Sequence, residues 1–229
     1  MNTRNLKISF DSLKGMRRDR NKDGVLIVKG ESYKLFGIFD GVSSSLYSHK
    51  AVKKAISFVD KNHKNYYGNE DFQLSKLVFD LNNLLINCGI EEPFTTCCMM
   101  YVPNDLKINI KFVNIGDSRI YAVTRQFIDK LTIDDSDIFQ KNILLKYLGK
   151  NDLNRNDFKE NHYDGVAKRF LLCSDGFYNI FEGNNKALLE MHHSLNINHS
   201  FYIKYNISKV ISGQNFDDAT YILVRCQDV

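Results

Sequence analysis

Four places in the chain set acidic residues against apolar runs in a pattern that can do chemistry. "FGIFDG" (36–41) carries an apolar run into Asp40-Gly41, and "FLLCSDG" (170–176) does the same at Asp175-Gly176. "VNIGDSR" (113–119) holds Asp117, and "FDDATYILV" (216–224) reverses the order, with Asp217 and Asp218 ahead of the apolar run. An acid at the end of a buried strand must be solvated, paired or bound to a cation, because burying a bare carboxylate is very costly. Several such acids brought together repel one another unless a divalent cation compensates them. Hard oxygen donors suit Mg²⁺ or Mn²⁺, and a glycine lets its carbonyl approach an ion closely. No His/Cys spacing supports zinc.

Asp-Gly after a strand is also a turn signal. The turn fits "NIGDSRIYAV", where a good strand follows. It fits poorly at Asp40-Gly41, whose sequel "VSSSLYSHKAVKKA" leads into a helix that Ser43, Ser44 or Ser45 could cap. At Asp175-Gly176 the sequel "FYNIFEGN" is not a clean strand.

The elements that must hold these acids are short strands and longer helices. Runs rich in β-branched and aromatic residues predict strands over 6–10, 25–29, 33–39, 95–102, 107–115, 119–124, 169–174 and 219–226. Helical periodicity predicts helices over 46–62 and 71–88, and 184–195 and 198–212 also suit helices, the last stopped by Gly213. The order does not alternate strand and helix, which argues for an α+β fold with antiparallel sheets. "KLFGIF", "FTTCCMMYV" and "FLLC" are apolar on both faces and need cover on both sides. An α-β-β-α sandwich, two antiparallel sheets flanked by helices, supplies it.

The chain has 229 residues, 43% hydrophobic and 25% charged, and a formal net charge of +4, which is ordinary globular composition. With two prolines and no Gly/Ser-rich linker, one domain over 1–229 is expected. The basic residues, Lys50, Lys53 and Lys54 among them, are spaced like a solvated helix face rather than a nucleic-acid arm. Five cysteines in mostly apolar runs, with no Cys-x-x-Cys pair, read as buried reduced thiols and a cytoplasmic setting. No apolar run approaches the ~20 residues that span a bilayer.

In order and spacing these motifs resemble the metal-dependent serine/threonine protein phosphatases, the protein phosphatase 2C-like family, and most of all its compact bacterial members. "GMRRDRNKDG" (15–24) is similar to the family's N-terminal Gly-x-x-Arg-x-x-Asn-Glu-Asp segment. "GIFDGVSS", "PFTTCCMMYV", "VNIGDSRIYAV", "LCSDGFYNIF" and "DDATYILV" resemble its later motifs in the right order. The resemblance implies Asp40 as the acid bridging two metals, with the Gly41 carbonyl beside it. It implies Asp175 and Asp217 as further ligands of the first metal, Asp23 near the second, and Asp117 near a third found in some members. Arg18 matches the arginine that holds the substrate phosphate, with Arg17 the alternative if the alignment slips by one. The implied cofactors are two Mn²⁺ or Mg²⁺ ions, with the third in some members.

Several positions depart from the family pattern. Lys22 stands where glutamate is usual, a cation beside a cation site. Val42 excludes a histidine directly after Asp-Gly, and His49, a few residues on, reads as an exposed helix residue. Asp218 replaces the common asparagine. The segment between "LTIDDSDIF" and "ILLKYLG" is short, so the flap beside the site is largely deleted. His192 and His193 read as surface positions.

The expected protein is therefore a cytoplasmic, Mn²⁺/Mg²⁺-dependent phosphatase acting on phosphoserine and phosphothreonine in proteins. It would be a monomer that opposes a serine/threonine kinase, without nucleic-acid or membrane partners. A pseudophosphatase that binds a phosphoprotein or kinase is the first alternative, and a small-molecule phosphoesterase the second.

Overall fold

The strands that read as apolar on both faces do stand inside two stacked sheets. The structure, a computed structural model, describes residues 4–68, 71–140 and 143–228. One sheet has the order β1 (Arg4–Leu13), β10 (Ala219–Asp228), β9 (Arg169–Cys173), β6 (Arg119–Val123) and β7 (Ile128–Lys130). The other runs β2 (Gly24–Lys29), β3 (Tyr33–Phe39), β4 (Cys97–Pro103), β5 (Ile110–Ile115) and β8 (Asn161–Tyr163). Every pairing is antiparallel.

The period of two along a strand sorts the side chains into layers. On β4, Cys98, Met100 and Val102 face the other sheet and meet Phe36, Ile38, Phe170, Leu172, Ile222 and Val224. Cys97, Met99 and Tyr101 face outward and meet α1 (Ser48–Asn62) and α2 (Leu74–Ile86) through Val52, Ala55, Val59, Leu77 and Leu81. The opposite outer layer is α3 (Asp175–Glu182), α4 (Asn185–Asn196) and α5 (Ser200–Ile211), packed on Leu171, Tyr221 and Leu223. Full burial of each large aliphatic side chain is worth about 1.5–3 kcal/mol, so three such layers hold the sheet ends in fixed register.

The α+β sandwich matches the expectation, and several details differ. The eight-residue helix α3 begins at Asp175 itself, where the sequence showed only an unclean strand. Strands β7 and β8 are three residues each, too short for periodicity to register. Helix α1 starts at Ser48 with Tyr47 as its N-cap and no side-chain capping bond, so none of Ser43, Ser44 and Ser45 caps it. The Ser45 hydroxyl instead donates to the Glu92 carbonyl at 2.6 Å. His192 is half-buried, its Nε2 lying 2.9 Å from the Thr124 carbonyl. Among the described residues no helix is long and apolar enough to cross a membrane.

Candidate active site

Strand ends deliver four of the acids to one place. Asp40 follows β3, Asp117 sits in the β5–β6 turn, Asp175 opens α3 directly after β9, and Asp217 lies two residues before β10. Asp40, Asp117, Asp175 and Asp217 line one cavity of about 520 Å³, together with Val42, Ser43, Ser44, Thr96, Ile143, Leu144 and Tyr147. The backbone of Asp40 is clamped: its N–H donates to Thr96 Oγ1 at 3.0 Å, and its carbonyl accepts the Thr96 N–H at 2.8 Å and the Thr95 hydroxyl at 3.0 Å. Gly41 follows in a bridge to Thr95. At the first turn of α3 the helix dipole favours the negative charge of Asp175. Ile143, Leu144 and Tyr147 contribute to the cavity wall.

Asp23 does not line this cavity. It ends the loop before β2, and both of its carboxylate oxygens are buried without a hydrogen bond of ordinary geometry. Burial pushes its carboxyl up to about 7, with the Asp218 charge adding and the nearby Thr220 and Ser174 hydroxyls opposing. Burial likewise carries Asp40 well above the usual carboxylate range, reinforced by the charges of Asp23, Asp175 and Asp117. Asp117 is pushed to about 7 by burial and then by Asp175. Asp175 is raised by burial and by the charge of Asp217, against the pull of the Gly176 N–H and Arg18.

Arg18 reaches into the acids and Arg17 does not. The Arg18 fork donates from Nε to Asp217 Oδ1 at 2.6 Å and from Nη2 to Oδ2 at 2.5 Å, and Nη2 also donates to the Ser43 hydroxyl at 2.7 Å. The hydrogen bonds to Asp217 hold the guanidinium above its ordinary value. The Arg17 guanidinium lies over the Phe216 ring, 4.6 Å from its centroid. Lys22 is turned towards a loop: Nζ donates to the Ser45 carbonyl at 2.9 Å and the Ser43 carbonyl at 3.2 Å. Burial, then the neighbouring Arg18, lowers its pKa. His49 is half-buried rather than exposed, with Nε2 3.0 Å from Arg20 Nη1 and a buried Nδ1 that has no partner. Burial and the cations of Arg20, Lys50 and Lys53 lower its pKa.

Asp218 has a role that sequence reasoning missed. It is buried, and its carboxylate accepts the Gly15 N–H on Oδ1 and the Lys22 N–H on Oδ2, each at 2.8 Å. The loop that presents Arg18 is thereby pinned at both ends to the start of β10. Two glycines permit this packing. A Cβ on Gly176 would lie 2.2 Å from the Asp218 carbonyl oxygen, and one on Gly15 would lie 2.4 Å from the Asp217 carbonyl carbon. The only trace of this in the sequence is the Asp217-Asp218 doublet, whose members serve opposite purposes.

Among the described residues no three acidic, histidine or cysteine side chains are disposed as a ready-made metal cage. Both oxygens of Asp217 are engaged by Arg18, and Oδ1 also accepts the Asp218 N–H at 2.7 Å. The donor set nevertheless fits hard divalent cations. It consists of carboxylates without nitrogen or sulfur, two of its buried oxygens on Asp23 lack a hydrogen bond of ordinary geometry, and four of its acids are held above their ordinary pKa.

Residues 16–202 match the sequence model of the family described as Protein phosphatase 2C. Among solved structures, the chain is similar to the serine/threonine phosphatase Stp1 from Staphylococcus aureus, with a TM-score of 0.78, 19% identity, and 97% of this chain and 95% of that chain covered. It is also similar to the Ser-Thr phosphatase MsPP from Mycobacterium smegmatis in complex with cacodylate, with a TM-score of 0.76, 18% identity and coverage of 96% and 97%. The catalytic domain of the phosphatase PstP, in complex with two manganese ions, aligns with a TM-score of 0.74 at 18% identity over 97% and 99% of the two chains. No curated protein sequence matches the chain.

Proposed function

Since the chain belongs to the protein phosphatase 2C family, we propose that it hydrolyses phosphoserine and phosphothreonine on proteins, as a single domain, with Mn²⁺ or Mg²⁺ as cofactor. The observation that carries this reading is the convergence of Asp40, Asp117, Asp175 and Asp217 on one cavity, with Arg18 at its rim. Asp40, with the Gly41 carbonyl beside it, would serve two cations, Asp175 and Asp217 the first of them and Asp23 the second, and Asp117 would serve a third. Such cations supply an activated water near neutral pH and neutralise phosphoryl oxygens. A solved PstP structure that contains two manganese ions supports the first two of these sites.

The chain's own residues then bind and orient. Arg18 exchanges the Asp217 carboxylate for phosphate oxygens, which its planar fork fits equally well. The Ser43 hydroxyl, already bonded to Arg18, limits where the fork can turn. Val42, Ile143, Leu144 and Tyr147 give the aliphatic part of a phosphorylated residue an apolar wall. No side chain needs to act as nucleophile, so the buried cysteines have no catalytic part.

The engagement of both Asp217 oxygens favours one second reading, a pseudophosphatase that binds phosphoprotein without turnover. A time course with p-nitrophenyl phosphate and with a phosphothreonine peptide, each with and without Mn²⁺, separates the two. Metal-dependent release of phosphate from the peptide is the expected result. No release from either compound at saturating Mn²⁺ would leave only the binding role, and release from the ester alone would point to a small-molecule substrate.

A further inference from the structure

A second cavity, of about 500 Å³, adjoins the acidic one and has the opposite charge. It is lined by Arg17, Arg18, Arg20, Lys22 and Lys50, with His49 and a single acid, Asp19, among the titratable side chains. Arg18 belongs to both places, since it lines this cavity and binds Asp217 and Ser43 of the other. The shared wall is thus one guanidinium thick.

Arg18 is paired with Asp217, but the other cations here are not spent on carboxylates of the chain. Among the described residues, Arg17, Arg20 and Lys50 have no ion-pair partner. Arg17 lies over Phe216, the Lys50 ammonium sits 4.5 Å from the Tyr47 ring centroid, and Arg20 meets His49. Helix α1 points the wrong way for its own charges. Its first turn has no acid and no side-chain cap, and it holds Lys50 at the end where the helix dipole is positive. A cation at a helix N-terminus is unfavourable alone and becomes favourable around an anion. His49 Nδ1, buried without a partner at the cavity wall, is one more group left without a bond.

We propose that this basic cavity is an accessory subsite for acidic side chains next to the phosphorylated residue, so that the protein selects phosphoproteins with glutamate or aspartate close to the phosphosite. This rests on the hydrolase reading of the acidic cavity and adds the substrate class. An extended peptide advances about 3.3 Å per residue, so side chains two or three positions from a phosphothreonine held at Arg18 lie roughly 7–10 Å along the surface, on the side where Arg18 joins the basic cavity. The long-range field of the cations also speeds the approach of an acidic segment. Leu46, 72% exposed beside the same cavity, gives the peptide backbone an apolar rim.

The test uses the intact chain and three phosphothreonine peptides that differ only in flanks: neutral, two glutamates before the phosphosite, or two after it. With Mn²⁺, one acidic peptide should exceed the neutral one in kcat/KM by about tenfold, the worth of one charge-assisted contact. In the double variant Arg20→Gln, Lys50→Gln that advantage should fall below about twofold, while turnover of the neutral peptide and of p-nitrophenyl phosphate is kept. Neither acidic peptide being preferred, or equal losses on acidic and neutral peptides, would overturn the proposal.

A second measurement does not depend on turnover. The unphosphorylated glutamate peptide, added without metal, should shift the NMR amide signals of residues 46–50 in the parent and not in the double variant. Absence of those shifts in the parent would overturn the subsite even if the enzyme is active. Their presence in a chain without phosphatase activity would keep the subsite and reject the hydrolase. A single-stranded RNA of equal charge that binds more tightly than the peptide would reassign the cavity to nucleic acid and overturn the proposal.

Discussion

Removing Arg18 should push cation binding and substrate turnover in opposite directions. In the structure the guanidinium grips Asp217 through two bonds of 2.6 and 2.5 Å, and Asp217 is the acid the reading assigns to the first cation. A cation that takes Asp217 must first displace that fork. The pair is partly exposed, with side-chain accessibilities of 26% and 38%, so solvent screening reduces it to about 1–2 kcal/mol. Arg18→Ala should therefore tighten Mn²⁺ binding by roughly 5- to 30-fold. The same variant loses a charge-assisted phosphate contact of ~1.5–3 kcal/mol, so its kcat/KM for a phosphopeptide should fall by roughly 10- to 150-fold. Calorimetric Mn²⁺ titration reads the first effect without reference to activity, and steady-state kinetics at saturating metal reads the second. Arg17→Ala, which removes a guanidinium stacked on Phe216, is the control and should change neither much. Unchanged or weakened Mn²⁺ binding in Arg18→Ala would refute the competition argument, whatever happens to turnover.

Three further outcomes follow from the same geometry. Asp218→Asn keeps the shape but sets an NH₂ against one of two backbone N–H groups, so it should cost about 1–3 kcal/mol, seen as a melting temperature lower by roughly 2–12 °C. Gly176→Ala puts a methyl group 2.2 Å from the Asp218 carbonyl oxygen, so soluble yield or melting temperature should drop severely while the neighbouring surface change Asn179→Ala is tolerated. Without metal, Asp23 and Asp117 are pushed to about 7 from an ordinary 3.8, so the folded state binds more protons than the unfolded between these values. Their contribution is present at low pH and is lost as pH rises through about 7, at up to about 1.4 kcal/mol per unit for each group. Thermal melts in a chelator should thus show higher stability at about pH 5.5 than at about pH 7.5, and Mn²⁺ should restore stability at the higher pH.

The acids were legible because each ends or begins an apolar run long enough to read as a strand, and strand ends must come out at the sheet edge. The layered fold was legible from β3, β4 and β9, whose double-faced apolarity demands cover on both sides. Helix α3 was not, because eight residues starting at Asp175 give periodicity too little length, and its start doubles as a turn signal. Lys22 reads as a cation beside a cation site, but local sequence does not say which way a long side chain turns. Its ammonium found the carbonyls of Ser43 and Ser45. Asp218 was invisible for a similar reason: its two partners, Gly15 and Lys22, lie some two hundred positions away.

The place of β10 has a consequence for how the chain acquires its shape over time. This strand lies between β1 and β9, so Arg4 pairs with Asp228 and the first sheet closes only when segments from opposite ends of the described chain meet. The β2–β5 meander with α1 and α2 is assembled from nearer neighbours and has no such delay. On the ribosome, that half can form early and wait with Phe36, Ile38 and Met100 uncovered, a sticky face during the slowest interval. Asp217 and Asp218 arrive with the last strand, so the crowding already present between Asp23 and Asp40 is completed only at that closing event. If the chain holds divalent cations as proposed, they would act on that final step of closure.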